Sequence, residues 1–283
     1  MIIVRLCGGL GNQMFQYALA RTLSLRLRIP SALDLSWFTG HPYRHYVLDV
    51  FNTQIKIAQA DDLKPFQSPI ARFIDKFLPQ TKRKIMHERG FSFDSGILSI
   101  PDNRYVDGYW QSEKYFTEIR NTLQKEFTLK TGLGSDAQKI ASQIRSSNAV
   151  SLHVRRGDYV SNPKFTAIHG VLPLSYYAEA MKLIEQKAQS PHYFLFSDDP
   201  TWVTQNIKSA FPITVVSQKG IAEAEDLTLM SICKHNIIAN SSFSWWGAWL
   251  NNYGGKIVVA PKNWFGDTSK DMRDLIPSSW MQI

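Results

Sequence analysis

Two adjacent arginines have the clearest chemical use in this chain. Arg155 and Arg156 lie in the sequence HVRRGDY (153–159), directly after the apolar run AVSLHV (149–154). A guanidinium is permanently charged and can hold a phosphate through two parallel hydrogen bonds. Arg-Gly-Asp is also common in exposed turns, but the position after a strand favours phosphate binding by Arg155. We expect one of the two side chains at the site and the other in an ion pair with a carboxylate.

Two more polar segments follow apolar runs later in the chain. Asp198 and Asp199 follow the run HYFLF (192–196) and precede Pro200. They can accept hydrogen bonds from a base or a ribose, or one of them can simply cap the next helix. The segment NSSF (240–243) follows the run NIIA (236–239) and opens a helix, where hydroxyl and backbone N–H groups can hold an anion or serve as an ordinary cap.

A glycine-rich turn, GGLGNQM (8–14), stands near the amino terminus between an apolar run and a helical pattern. A strand, a glycine turn and a helix in this order let the backbone approach a phosphate closely. Met14 stands where the dinucleotide-binding fingerprint needs a third small residue, so a nicotinamide or flavin enzyme is rejected. The Gly-Lys-Ser/Thr ending of a P-loop is also missing.

Other kinds of site are missing from the sequence as well. There is no Asp-x-Asp triplet of the kind that carries a divalent ion on a sugar nucleotide, and no Gly-x-Ser-x-Gly nucleophile turn. The histidines have no cysteine partners suited to zinc. A site made of arginines and helix ends would have to stabilise a phosphate leaving group through fixed positive charge. We therefore expect no metal ion and no other cofactor.

The elements that must position these residues are clearest in the second half. Apolar runs that alternate with helical patterns predict a parallel sheet with right-handed crossovers. Ligands bind outside the carboxyl ends of the strands in such sheets, so the polar segments after the first, second and fourth strands should meet at one edge. The expected strands are 149–154, 192–196, 213–216, 236–239 and 256–260, and helices should begin near residues 174, 201, 224 and 243.

The first half gives a less regular pattern. We expect two α/β, Rossmann-like domains that face a cleft. The N-terminal, acceptor-side domain is residues 1–147 and the C-terminal, nucleotide-binding domain is residues 148–283, with KTGLGS (130–135) as a linker candidate. The expected elements of the first half are strands at 1–6, 31–35 and 105–109 and helices at 12–27 and 116–127.

Composition excludes several classes of protein. Twelve per cent aromatic and 44% hydrophobic residues argue against disorder, and two cysteines cannot form a disulfide framework. No apolar run approaches the length of a membrane span. A soluble, cytoplasmic protein is the expectation. The formal net charge of +8 could attract nucleic acid, anionic lipid or a phosphorylated small molecule, or serve solubility alone. A basic cluster that could contact a membrane surface consists of Lys82, Arg83, Lys84, His87 and Arg89.

The longest motifs resemble those of the α-1,2-fucosyltransferases of glycosyltransferase family 11, in particular short bacterial members. The matches occur in order from residue 8 to about residue 250 and cover nearly the whole chain. Three motifs carry the resemblance, GGLGNQMFQYA (8–18), HVRRGDY (153–159) and NSSFSWW (240–246), and weaker matches are YVLDVF (46–51), GYWQSEKYF (108–116) and SDDP (197–200).

The resemblance implies a GT-B-like fold and a galactoside α-1,2-fucosyltransferase that needs no metal. The donor would be GDP-β-L-fucose, transferred with inversion to the 2-OH of a terminal β-galactose. The acceptor would be an oligosaccharide or a lipid-linked glycan of surface polysaccharide synthesis. No nucleic acid is expected as a partner, and a peripheral contact with the inner face of the membrane would suit such an acceptor.

The resemblance also implies roles for individual residues. Arg155 would hold the β-phosphate of GDP and act as the catalytic charge stabiliser. The general base is not identified, and a loose mechanism needs no strong one. The residues near guanine and ribose would be His153, Asp198 and Asp199, and the nucleotide pocket would be completed by Asn240, Ser241, Ser242 and Phe243. The residues that reach toward the diphosphate and fucose would be Gly9, Gly11, Asn12 and Gln13. The candidates for the general base are Asp158, His41, His45, Asp49 and Glu113.

Two alternatives stay open at this point. The chain could be a GDP-sugar-dependent fucosyltransferase of another linkage. It could also be a noncatalytic protein that binds carbohydrate or nucleic acid through its basic surface, in which case binding would weaken steeply with salt and ignore GDP.

Overall fold

The chain folds into two compact units. A computed structural model describes residues 1–79, 82–217, 220–267 and 270–283. One unit comprises Met1–Thr128 and Asp271–Pro277, and the other comprises Leu129–Lys270 and Ser278–Ile283. The division falls beside the linker candidate 130–135 rather than after residue 147, because the helix Ser135–Arg145 packs its alanines and Ile144 with the second unit's core. The return of 271–277 to the first unit was not expected.

The first unit is built on a five-stranded parallel sheet in the order β3-β2-β1-β5-β4. The three strands expected from the sequence are confirmed. Strands β3 and β4 were missed because two or three residues carry too little alternation to recognise. The elements are β1 (Ile2–Arg5), α1 (Leu10–Leu27), β2 (Ser31–Asp34), β3 (Lys56–Ile57), α2 (Ala60–Gln67), α3 (Pro69–Phe77), β4 (Ile85–His87), β5 (Arg104–Asp107) and α4 (Arg120–Glu126).

The second unit is built on a six-stranded parallel sheet in the order β11-β10-β9-β6-β7-β8. All five expected strands and all four expected helices are confirmed, with ends shifted by up to two residues. The elements are α5 (Ser135–Arg145), β6 (Asn148–Val154), α6 (Gly157–Ser161), α7 (Pro163–His169), α8 (Leu174–Lys187), β7 (Pro191–Ser197), α9 (Pro200–Asn206), β8 (Ile213–Val215), α10 (Glu223–Ser231), β9 (His235–Ile237), α11 (Ser242–Leu250), β10 (Val258–Ala260) and β11 (Met281–Gln282).

Strand β6 is buried on both faces, as a central parallel strand must be. Val150, Leu152 and Val154 pack in one cluster with side chains of α8 and α9, whereas Ala149 packs on the opposite face with α5 and α10. Because side chains alternate along a strand, His153 shares the face of Ala149. Within the described ranges, no helix combines the length and the apolar character that a membrane-spanning helix needs.

In the first sheet, β1 lies at the centre, between β2 and β5. In the second sheet, the chain order reverses once, between β9 and β6. Ligands of open α/β sheets bind in the crevice outside the carboxyl ends of the strands at such a point. The glycine-rich turn follows β1, Arg155 follows β6, and Asn240 follows β9. The topology therefore places Arg155 and Asn240 after the two strands that flank the reversal of the second sheet, and the glycine-rich turn after the central strand of the first sheet.

Candidate functional site

Arg155 is held in place at the carboxyl end of β6. Its terminal nitrogen lies 3.1 Å from a carboxylate oxygen of Asp198, which follows the neighbouring strand β7. The guanidinium also lies over the ring of Tyr159, 5.5 Å from its centre. Both charged side chains keep about a quarter of their surface exposed. The charge of Arg155 is thus fixed in direction and still accessible to an anion.

Arg156 points to the other face of the sheet. Its Nε donates to Asp199 over 3.4 Å, and its guanidinium stacks on the indole of Trp202, 4.1 Å from the ring centre. The two neighbouring guanidiniums therefore contact different aspartates and different aromatic rings. The expected ion pair is present at Arg156, and Arg155 also pairs with an aspartate after β7.

Both aspartates also accept hydrogen bonds from the backbone. Asp198 accepts the backbone N–H of Arg156 over 2.8 Å, and Asp199 accepts the N–H of Trp202 over 3.0 Å as the N-cap of α9. A Cβ on Gly157 would lie 2.6 Å from Asp198 Oδ2, so glycine is needed there for the carboxylate to pass. Of the two, Asp198 is the one that contacts Arg155.

His153 is buried beside the arginine and stays neutral. Its side chain is 4% exposed, and its Nδ1 has no hydrogen-bond partner among the described residues. Burial, with a smaller effect from the Arg155 charge, lowers the pKa of His153 to about 3. Its ring lies 5.7 Å from that of Phe243. A neutral imidazole with an unsatisfied nitrogen next to an aromatic ring can take part in binding a heterocycle.

The segment after β9 is tightly organised. The side-chain amide of Asn240 donates to the carbonyls of His169 and Trp264, so it connects the end of α7 to the loop that contains Trp264. Ser241 caps α11, because its hydroxyl accepts the N–H of Phe243. Ser242 and Phe243 are half-buried. Of the two roles that the sequence allowed for this segment, helix capping and anion binding, the structure shows the cap.

Asp226, in the first turn of α10, was missed from the sequence. One of its oxygens accepts the hydroxyl of Ser217, and Ser217 in turn accepts the N–H of Ser197 at the end of β7. The other oxygen is buried and has no hydrogen-bond partner among the described residues. Burial, reinforced by Glu223 and Glu225, raises the pKa of Asp226 to about 7. The acidic residues at the start of α10 were the only hint of Asp226 in the sequence, but acidic residues are common in the first turn of any helix.

The glycine-rich turn of the first unit is a tight strand-to-helix connection. Gly8 has φ +78, and a Cβ there would lie 2.5 Å from the Asn12 amide nitrogen. Asn12 accepts a hydrogen bond from Gln111, which follows β5. Gln13 is buried and binds the backbone of residues 45 and 47, so its contacts are structural.

Arg44 also lies at this turn and was missed from the sequence. Its terminal nitrogen lies 3.3 Å from the position that a Cβ on Gly9 would take. Gly11 is buried in α1. A cation over a glycine turn makes the surroundings of Gly9 suitable for a phosphate or a hydroxyl-rich sugar.

The candidates for a general base have unequal surroundings. His41 stacks on Trp37, 4.3 Å between ring centres, and its Nδ1 accepts the N–H of Arg44. His45 and Asp49 are exposed, and Glu113 is half-buried. The side chain of the fifth candidate, Asp158, lies outside what the structure describes. Within the described part of the chain, no group of three or more His, Cys, Asp or Glu side chains could hold a metal ion.

Comparison with known proteins identifies relatives over the full length. Residues 1–283 match the family model for glycosyl transferase family 11. An α-1,2-colitosyltransferase of Escherichia coli is 35% identical, over 100% of this chain and 99% of the relative. The O-antigen biosynthesis glycosyltransferase WbnK of Escherichia coli is 33% identical over 98% and 99%. Galactoside α-(1,2)-fucosyltransferase 2 of Mus musculus is 26% identical over 98% and 76%.

Solved structures share the fold at low identity. A NodZ α-1,6-fucosyltransferase soaked with GDP-fucose gives a TM-score of 0.51 at 15% identity, over 88% of this chain and 91% of that chain. A mutant of Arabidopsis thaliana FUT1 in complex with GDP gives 0.50 at 12% identity, over 99% and 75%. The likeness confirms the predicted α/β class with Rossmann-like, GT-B-like architecture.

Proposed function

Because the chain belongs to glycosyltransferase family 11, we propose that it transfers L-fucose from GDP-β-L-fucose to the 2-OH of a terminal β-galactose. The transfer inverts the anomeric carbon and forms an α-1,2 linkage. Membership of an enzyme family removes the noncatalytic alternative. The relatives support the linkage, since an α-1,2-colitosyltransferase and an α-(1,2)-fucosyltransferase both align over nearly the whole chain.

One observation carries the donor part of this proposal. Asp198 fixes the guanidinium of Arg155 at the carboxyl end of β6, which flanks the β6/β9 reversal where a nucleotide of an open α/β sheet binds. As the bond from the sugar carbon to the diphosphate breaks, negative charge grows on the departing oxygen and the sugar gains oxocarbenium character. A cation already aimed at that oxygen stabilises the transition state more than the ground state.

The nucleotide base is assigned to the face of the sheet that carries His153. Phe243 offers an apolar surface, and the buried oxygen of Asp226 is an acceptor without a donor among the described residues. Guanine presents two N–H donors on one edge, which suits a carboxylate. We therefore add Asp226 to the donor-binding residues. Ser241 and Ser242 would contribute the start of α11.

The turn of the first unit is proposed to contact the diphosphate and fucose. Gly9, Gly11 and Asn12 lie at the start of α1, and Arg44 adds a cation beside Gly9. The contribution of Gln13 is to position the segment 45–47. Asp49 and Glu113 stay candidates for the base together with the histidines.

Catalysis without a metal is proposed from the charges themselves. Arg155 and Arg156 are balanced by Asp198 and Asp199, so the formal charge of these four side chains is zero. The stabilisation must then come from orientation, with N–H groups of Arg155 and of the α11 N-terminus directed at the diphosphate. Such oriented donors need no reorganisation during the reaction.

A second donor, GDP-colitose, is supported by the colitosyltransferase relative. Colitose is fucose without the 3-hydroxyl, so one hydroxyl contact separates the two activities. A site that hydrogen-bonds this hydroxyl rejects the deoxy sugar strongly, whereas a site that does not accepts both within about a hundredfold.

The test is release of GDP from each donor, with lactose as acceptor, followed by linkage analysis of the product. We expect turnover of GDP-fucose, an α-1,2 product and unchanged rates in EDTA. Preference for GDP-colitose would move the assignment to the second donor. A different linkage would favour the alternative fucosyltransferase, and loss of activity in EDTA that Mg²⁺ restores would refute the metal-free site.

We propose that the natural acceptor is a lipid-linked glycan modified in the cytoplasm, as the relative WbnK's role in O-antigen biosynthesis suggests.

A further inference from the structure

Helix α3 of the first unit is amphipathic with its apolar side turned outward. Ile70, Phe73, Ile74 and Phe77 lie three or four positions apart and share one face. They are 73%, 63%, 54% and 74% exposed, although such side chains are normally buried. We call these four side chains the α3 face.

The orientation of α3 is fixed by a buried carboxylate on its inner side. Asp75 accepts the backbone N–H of Lys84 over 2.6 Å and that of Ile85 over 3.0 Å. Asp75 is itself buried. Rotating α3 to bury its apolar side would break both bonds and leave two backbone donors without their acceptor. The outward α3 face is therefore built into the unit.

The same two bonds bring a basic segment next to α3. Lys82 and Lys84 are exposed, and Arg83 donates to the carbonyl of Leu78, directly after the helix. An exposed apolar helix face flanked by lysine and arginine is the pattern of a helix that lies in the headgroup region of a bilayer. At nine residues, α3 is about 14 Å long, which suits lying in the interface.

We propose that the α3 face and the basic segment 82–84 form a docking surface for a bilayer that contains anionic lipid. The two phenylalanine rings, 5.1 Å apart, enter the boundary between headgroups and acyl chains. The lysines remain at the headgroup level, where anionic phosphates attract them. The inference does not rest on the proposed enzymatic function, because it concerns adhesion of the first unit and not the reaction.

Charge argues against a second copy of the chain as the occupant. A symmetric dimer through this surface would place two copies of the same basic segment in one interface and add no acidic segment to pair with them. Four side chains also offer only on the order of 400–500 Å², less than the roughly 800 Å² per partner of a stable interface. An anionic bilayer satisfies both the apolar and the basic parts.

The test is cosedimentation with phosphatidylcholine vesicles, with and without phosphatidylglycerol, in the absence of any sugar nucleotide. We expect the protein to pellet with the anionic vesicles and binding to weaken with salt. The variant Phe73→Ser/Phe77→Ser should lose more than about tenfold in partitioning. Lys82→Glu/Lys84→Glu should lose about tenfold or more on anionic vesicles.

Matched variants in the second unit separate this surface from general effects. Lys182→Glu/Lys187→Glu makes the same charge change on α8, and Leu174→Ser removes an exposed apolar side chain there. Both should partition within about twofold of the unchanged chain, since they leave α3 intact.

Three results would overturn the proposal. One is no binding to anionic vesicles, and another is equal loss in the α3 and α8 charge variants. The third is self-association that Phe73→Ser/Phe77→Ser abolishes while vesicles are not bound, which would make the surface a dimer contact. Turnover with lactose should be unchanged in the α3 variants, so failure of the docking surface and failure of the proposed reaction are separately visible.

Discussion

Replacing Asp226 by asparagine should make the protein more stable and less able to bind its donor. Burial raises the pKa of Asp226 from 3.8 to about 7. The folded chain therefore keeps a proton that the unfolded chain has already lost between those two pH values. Stability consequently falls as the pH rises through this window. The amide introduced by Asp226→Asn cannot ionise and keeps an oxygen for the Ser217 hydroxyl. The stability of this variant should therefore not fall as the pH rises through this window.

The size of the effect follows from the shift. At about 1.4 kcal/mol per pH unit, the variant should gain up to about 4 kcal/mol at pH 8 and about 1–2 kcal/mol at pH 5. The measurement is urea unfolding followed by fluorescence of the eight tryptophans at both pH values. Asp136→Asn, at an exposed position in the same unit, should change stability by less than about 0.5 kcal/mol. A gain of the same size at pH 5 and pH 8 would refute the reasoning.

Binding provides the second half of the test. If the carboxylate of Asp226 accepts N–H groups of guanine, the affinity for GDP should rise about tenfold between pH 6 and pH 8 as the acid ionises around pH 7. Asp226→Asn should bind GDP about tenfold more weakly at pH 8 and lose the preference for GDP over IDP, which lacks the 2-amino group. Calorimetry measures these affinities. Equal binding of GDP by the two proteins at pH 8 would remove Asp226 from the site.

Three further predictions concern the arginines, the glycine turn and α3. Arg155→Ala should lower kcat/KM with GDP-fucose about a hundredfold. Arg156→Ala loses an ion pair and an indole contact on the other face, so its kcat/KM should stay within threefold of the unchanged protein and its Tm should fall by a few degrees. Comparable kinetic losses in the two variants would contradict the assignment. Gly8→Ala should destabilise by about 2–3 kcal/mol in urea, and Gly40→Ala, with φ +74 but open space, by about 1 kcal/mol; equal losses would show that the contact with the Asn12 amide is unimportant. Asp75→Ala leaves two backbone donors unsatisfied and should cost about 2–4 kcal/mol in the same assay, and a loss below about 1 kcal/mol would mean that α3 is not anchored there.

The sheet and its binding edge were predictable because a few local patterns determine them. Continuous apolar runs identified the strands of the second unit, and parallel pairing then placed Arg155, Asp198 and Asn240 at one edge. The ion pair expected for one of the two arginines is the pair of Arg156 with Asp199. These patterns need only the sign of each residue's hydrophobicity, which the sequence contains.

What could not be predicted depends on contacts far apart in sequence. Asp226 becomes unusual only because burial and its two acidic neighbours act on it together, and a helix start with several acids normally indicates capping alone. Arg44 approaches Gly9 from a segment without regular structure. Helix α3 was missed although its apolar residues have helical spacing, and the sequence pattern does not tell that this face is exposed.

The two ion pairs at the sheet edge explain how this site can be organised without a large net charge. A lone arginine on a flexible stem loses about 2 kcal/mol of rotamer entropy when it is fixed on a phosphate. In the proposed site, Asp198 holds Arg155 before a phosphate binds, at 3.1 Å and with about a quarter of each side chain's surface exposed. The carboxylate weakens the overall potential, but it leaves the direction of the N–H donors intact. Because catalysis depends on stabilising charge where it develops and not on attracting the donor, fixed direction is the more useful property.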